Sequence, residues 1–171
     1  LFSIDKATGS DLDERAKEIV PGTISRRTAL QATGTVVFSR PGTTGTVAIP
    51  SGTVVAATDA QGQIQFTTTA VGSITAGNTD SAPVAVTAVE AGSRGNVSAG
   101  AIVQFVSRVA GVRTVSNPSA VTTGQDRETD ASFRSRLRAF VQSLSRGTIN
   151  ALESGAANVL LASGQRGLFA N

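Results

Sequence analysis

The sequence predicts an α+β fold that is mostly β: an antiparallel β sandwich or barrel-like domain flanked by a short N-terminal helix and a C-terminal αα-hairpin. Three observations carry this reading. From Ala29 to Pro118, apolar and polar residues alternate with a period of about 2, in short runs broken by Gly, Pro, Asn and Asp. Nothing in that span is long enough, or spaced at about 3.6, to form the crossover helix a parallel sheet requires. Beyond Gly124 the apolar period changes to about 3.6. The chain accordingly divides into an N-terminal helical arm (1–28), a β domain (29–118) and a C-terminal helical region (119–171).

Residues 10–20 read as the first helix. Ser10 is placed as its N-cap, with Asp13 at the third helical position in a capping-box arrangement. Leu12, Ala16, Ile19 and Val20 share one face, and Asp11–Arg15 and Asp13–Lys17 are i,i+4 pairs elsewhere on the helix. Pro21-Gly22 ends it.

In the β region, alternation puts Val36 with Phe38, Val47 with Ile49, Ile64 with Phe66, and Val84 with Val86, each pair on one face. Turns fall at 40–45, 50–52, 59–62, 77–78 and 92–96. Val103–Ser107 and Arg113–Ser116 read as the last strands, giving seven to nine in all. Phe38, Ile49, Phe66, Val86 and Phe105 are the expected core. None of the Gly-rich turns has the spacing of a phosphate loop or leads into a helix, so they read as turns. Asn96-Val-Ser98 fits a glycosylation sequon but also reads as a plain turn.

Thr129 is expected to cap a helix reaching about Ser145, with Asp130 set against its N-terminal dipole. Phe133, Leu137, Phe140, Val141 and Leu144 form its apolar stripe, and Arg134, Arg136 and Arg138 lie mainly off it. Gly147-Thr148 breaks the chain, and a second helix runs from Ile149 to about Ala162.

Composition narrows the chemistry. The 171 residues include no Cys, His, Met, Trp or Tyr, and seven Phe. Disulfides, thiolate chemistry, imidazole bases and nearly all zinc sites are therefore excluded, and an activated hydroxyl would have only Lys6 and Lys17 as amine bases. Asp126, Glu128 and Asp130 form a dense carboxylate group, and capping at a helix start accounts for them. The chain is expected to have no catalytic residues, cofactor or metal. The net charge of +3 comes from 13 Arg and 2 Lys against 12 acidic residues. These cations are dispersed, with neither Tyr nor Trp to stack bases, so no nucleic-acid partner is expected. No apolar run approaches the ~20 residues that span a bilayer, so no membrane partner is expected either. The start at Leu1 rather than Met suggests a fragment of a longer protein.

Arg134, Arg136 and Arg138 can be read as a solvated helix face, a contact to an acidic protein surface, or a phosphate site. The candidate interface comprises Leu12, Ile19, Phe133, Arg134, Leu137, Arg138 and Phe140. Phe133, Leu137 and Phe140 would pack inward, while Arg134 and Arg138 would meet acidic groups of an adjacent element or subunit.

Five segments then occur in a telling order: Ala7–Asp13, Ile49-Pro-Ser-Gly-Thr53, Ala91–Gly100, Val115-Ser-Asn-Pro118 and Gly124–Arg136. Together they resemble the baseplate J-like family, the inner-baseplate wedge proteins of Mu-like contractile phages and related injection systems. The resemblance covers about Ala7 to Val159, with Phe133 where the family usually has Tyr. It implies a structural role in the tail baseplate of a virion, put together in the bacterial cytoplasm. There the wedges form a six-fold ring around the central spike. The implied partners are other wedge subunits, copies of this chain included, with the sheath initiator and the central spike or hub beyond them. A β-sandwich module of a bacterial surface adhesin or fibre is the alternative. It fits the Thr/Val/Gly-rich strands but not the missing Trp and Tyr that a sugar-binding face needs, nor an Arg-rich helical hairpin.

Overall fold

A computed structural model describes residues 6–19, 22 and 24–143 of the chain. They fall into two compact units, one of residues 27–127 and one joining the residues before 27 to those after 127. Each is described by itself.

The first unit is a β barrel. Its strands are β1 (Gln31–Ser39), β2 (Val47–Ile49), β3 (Val54–Asp59), β4 (Gly62–Thr68), β5 (Gly72–Ile74), β6 (Val84–Ala91), β7 (Gln104–Phe105) and β8 (Thr114–Ser116). Six of them form one sheet in the order β7-β3-β4-β6-β1-β8, and every pairing is antiparallel. The sheet curls until its edges, β7 and β8, approach one another without pairing. β2 and β5 pair separately and add Ile49 and Ile74 to the same core.

The period-2 pattern explains which side chains face inward. Val36 and Phe38 on β1, Val55 and Ala57 on β3, Phe66 on β4, and Val84 and Val86 on β6 are all buried. Burial of each large side chain contributes about 1.5–3 kcal/mol. Phe38, Ile49, Phe66 and Val86 lie where the alternation puts them. Phe105 does not: it is only partly buried, its ring centroid 6.1 Å from that of Phe38. β7 is an edge strand of two residues, much shorter than the expected 103–107 strand, so no neighbouring strand covers its outer side.

Polar groups inside the barrel are satisfied by backbone. Thr68 Oγ1 accepts from the Thr53 N–H and donates to the Pro50 carbonyl, closing the Pro50–Thr53 turn. The buried Asn117 accepts from the Ile102 N–H through Oδ1, and its Nδ2 donates to the carbonyls of Ser98 and Ser119. Arg40 is nearly buried and donates to four carbonyls, those of Thr44, Gly45, Thr75 and Asn78, tying two loops together.

The two ends of the barrel segment are clasped. Leu30 and Gln125 exchange both backbone hydrogen bonds, at 2.8 and 3.1 Å, and the Gly92 N–H also donates to the Leu30 carbonyl. The Asn96 side chain bonds both the N–H and the carbonyl of Gly124. This use of Asn96 as a backbone clamp agrees with its reading as part of a turn. The packing here requires glycine. A Cβ on Gly95 would lie 2.7 Å from the Ala32 Cβ, and one on Gly124 would strike the Gly92 carbonyl oxygen.

The second unit contains α1 (Gly9–Ile19) and α2, which covers residues 130–143 of the described chain. The second helix of the expected hairpin, at 149–162, lies outside the described residues. Among those residues no helix is long and apolar enough to cross a membrane.

Candidate assembly surface

The helical unit is built around a small apolar core. Ala7, Leu12, Ala16, Phe133 and Leu137 are buried, with Ile19, Ile24, Phe140 and Val141 packed partly buried against them. The i, i+4 spacing of Leu12/Ala16 on α1 and Phe133/Leu137 on α2 puts each pair on one face.

Charged side chains surround this core. Arg26, with a side chain only 6% exposed, pairs with Asp13 at 2.7 Å and with Asp130 at 2.6 Å. Its guanidinium also donates to the carbonyls of Glu128 and Gly9, and it lies 5.0 Å from the centre of the Phe133 ring. Arg136 grips Glu128 through two bonds, at 2.9 and 2.6 Å, donates to the Ser25 carbonyl, and lies 5.2 Å from the same ring centre. Phe133 thus interacts with two cations, each held in position by carboxylates. The Glu128 carboxylate raises the Arg136 pKa further.

Several local expectations give way to this network. The first helix begins at Gly9 rather than after Ser10, and the Thr8 carbonyl accepts from the N–H groups of Asp11 and Leu12. Its first N–H, on Gly9, donates to the Asp130 carboxylate, so a remote acid caps the helix where Ser10 was expected to. That N–H, followed by the Arg26 guanidinium, holds the Asp130 carboxyl below its usual range. Asp13 makes a short ion pair with Arg26 and Lys17 makes one with Glu14, Asp13 acting on Lys17 only as a weaker neighbouring charge; the expected Asp11–Arg15 pair is present. Thr129 does cap α2, its Oγ1 accepting from the Ser132 N–H at 3.3 Å.

The carboxylates at 126, 128 and 130 all bond partners beyond their own turn of chain. In the barrel, Asp126 accepts from the Ser93 hydroxyl and N–H, which together lower its pKa. In the helical unit, Glu128 is taken by Arg136, and Asp130 by Gly9 and Arg26. Among the described residues, no group of three or more acidic side chains is arranged to hold a metal ion.

The residues expected at an interface separate by depth. Leu12, Phe133 and Leu137 are wholly buried in the unit's own core. Arg134 is partly exposed and donates to the Ala7 carbonyl at 2.6 Å. Ile19 and Phe140 are partly buried, and Arg138 is exposed. Sequence reasoning missed Arg26, which lies in a short Ser-Arg-Arg-Thr connection with no periodicity to mark it. It also missed Asn117 and Arg40, whose partners are backbone carbonyls and N–H groups that a side-chain pattern does not encode.

Comparison with known proteins bears on the barrel first. In solved structures, the chain is similar to a chain in the cryo-EM structure of the anti-feeding prophage baseplate, 6-fold symmetrised. The match has a TM-score of 0.56 at 13% identity and covers 72% of this chain. It takes in 40% of that baseplate chain, so this sequence spans well under half of its length. At that identity the likeness establishes the fold. No curated protein matches in sequence. The family model of the baseplate J-like protein barrel domain matches residues 35–124, which hold nearly all of the curled sheet and more than half of the chain. With its barrel matched from β1 to the clasp at Gly124, the chain belongs to the baseplate J-like family.

Proposed function

We propose that this chain is a structural, non-catalytic part of a contractile-tail baseplate, either in a phage virion or in a related injection system. In this reading it joins neighbouring wedge subunits, copies of itself included, around the central spike, with the sheath initiator and hub as further partners. Assembly takes place in the bacterial cytoplasm. The observation that carries the reading is the family match across the barrel, residues 35–124. The structural likeness to a baseplate chain agrees with it.

The barrel serves as a rigid spacer and the helical unit as the joining element. Arg134 and Arg138, one turn apart on α2, present forked donors on one side of that helix. Exposed charge reversals change fold stability little. Arg138→Glu should therefore leave the chain folded by circular dichroism, and Arg134→Glu/Arg138→Glu, which also gives up the bond to the Ala7 carbonyl, should still fold with some loss of stability. Baseplates purified from cells expressing the variants in place of the natural chain should contain much less of it and dissociate at lower salt. Complete baseplates of unchanged salt resistance from both variants would exclude the joining role of α2.

A further inference from the structure

The barrel has a second surface suited to a partner, where its sheet fails to close. β7 and β8 are the two edges of the sheet and follow one another in the chain, yet no ladder joins them. The loop between them, residues 106–113, borders a groove of about 740 Å³ lined by Phe105, Arg108, Val109, Val112 and Arg113. Two adjoining depressions share Arg108: one reaches the Pro50–Thr53 turn, the other Pro41 and Gly111. Val103 and Val106, on either side of β7, are 56% and 45% exposed.

The charge of this region is one-sided. Arg108 and Arg113 are exposed, and neither has an ion pair or a side-chain hydrogen bond among the described residues. Elsewhere in the barrel Arg94 is matched to Asp59 and Arg40 to four carbonyls. The seam is thus an apolar groove bordered by two uncompensated guanidinium groups.

We infer that this seam docks an extended acidic segment of a partner protein. Its apolar side chains would settle against Phe105, Val109 and Val112, and its carboxylates would pair with Arg108 and Arg113. The edges are too close for a strand to slot between them. Some of their Cα atoms lie within 8 Å of each other, whereas a strand paired on both sides spans about 9.5 Å. The segment therefore lies over the groove, and recognition comes from charge and apolar contact rather than from an added ladder. A second copy of this chain is the poorer fit, because the acids clustered on its surface, Asp11, Glu14 and Glu18, sit on a helix.

The test uses the purified chain and does not depend on its place in a baseplate. A fluorescein-labelled peptide Glu-Val-Glu-Ser-Glu-Val-Glu-Ser is titrated by anisotropy, with the Lys-for-Glu peptide and a twelve-residue oligothymidylate as comparison probes. Saturable binding of the acidic peptide is expected, weakened at least tenfold by Arg108→Glu/Arg113→Glu and by high salt. Arg15→Glu, on α1, should leave it unchanged. Absence of saturable binding, or equal binding by the double variant, overturns the proposal. So does tighter binding of the oligonucleotide, which would make the groove a phosphate site. Self-association of the chain that the double variant abolishes, without peptide binding, would assign the seam to a second copy and overturn it as well.

Discussion

The barrel and the helical unit are held together by different physics. The barrel encloses a broad apolar core drawn from every layer of the sheet, and its buried polar groups, the Arg40 guanidinium among them, are met by backbone. The helical unit has five fully buried apolar residues among those described, set in a cage of two arginines and three carboxylates. Many redundant contacts define the first. The second depends on a few charged groups whose loss leaves partners stranded, so the helical unit should be the more sensitive of the two to charge and pH.

The largest expected effect probes the barrel's core. Phe66→Ala removes a wholly buried ring from the middle of the sheet and should destabilise the barrel by about 3–5 kcal/mol. Hydrogen exchange followed by mass spectrometry should show the loss in peptides covering β1, β3 and β4. If protection falls equally in α1 and α2, the two regions unfold as one and the contrast drawn here fails.

Arg26→Met probes the charged cage. The substitution keeps much of the volume but leaves Asp13 and Asp130 without their shared cation. Breaking a buried pair costs about 3–5 kcal/mol; both carboxylates keep some exposure, so about 2–3 kcal/mol is expected. Faster exchange in α1 with β1 unchanged is the signature. A variant as stable as the natural chain would show that the apolar core alone holds the helices.

The smallest effect is a change in acid response. The Asp130 carboxyl is held below its ordinary value near 3.8, first by the Gly9 N–H and then by Arg26. Its charged form therefore favours the folded state. That stabilisation is complete above the unfolded value and is lost as pH falls through the lower folded one. Asp130→Asn should flatten the loss of helical circular dichroism below about pH 4, while leaving the barrel's acid response, to which Asp59 and Asp126 contribute, unaltered. An unchanged acid profile would remove Asp130 from the account.

How far the sequence reveals this structure follows the same division. Alternation marks the inward positions of β1, β4 and β6, because one buried face imposes a period on the residues that fill it. Thr129 is legible as a cap because its partner, Ser132, is local. What stays hidden depends on sequence-distant partners: Asp126 with Ser93, Asp130 with Gly9, and Arg26 with Asp13. Asp13 also shows why local rules fail here. Lys17 is one helical turn away, but the Arg26 guanidinium binds Asp13, Asp130 and two carbonyls together, which a single ammonium cannot match. Ile19, Arg138 and Phe140 could be placed on their helices from sequence, whereas the depth of Leu12 and Leu137 depends on helices meeting across more than 100 residues of intervening chain.

The clasp between Leu30 and Gln125 has a mechanical consequence. Tension pulling apart the chain on either side of the barrel segment would be applied at one pair of bonded residues, not along the length of any strand. The flanking hydrogen bonds at Gly92, Gly124 and Ser93 brace that point. Until they part, the sheet is mechanically shielded, and the whole barrel hangs from the path of the force as a pendant. A component tethered this way can bear a sudden pull without being stretched.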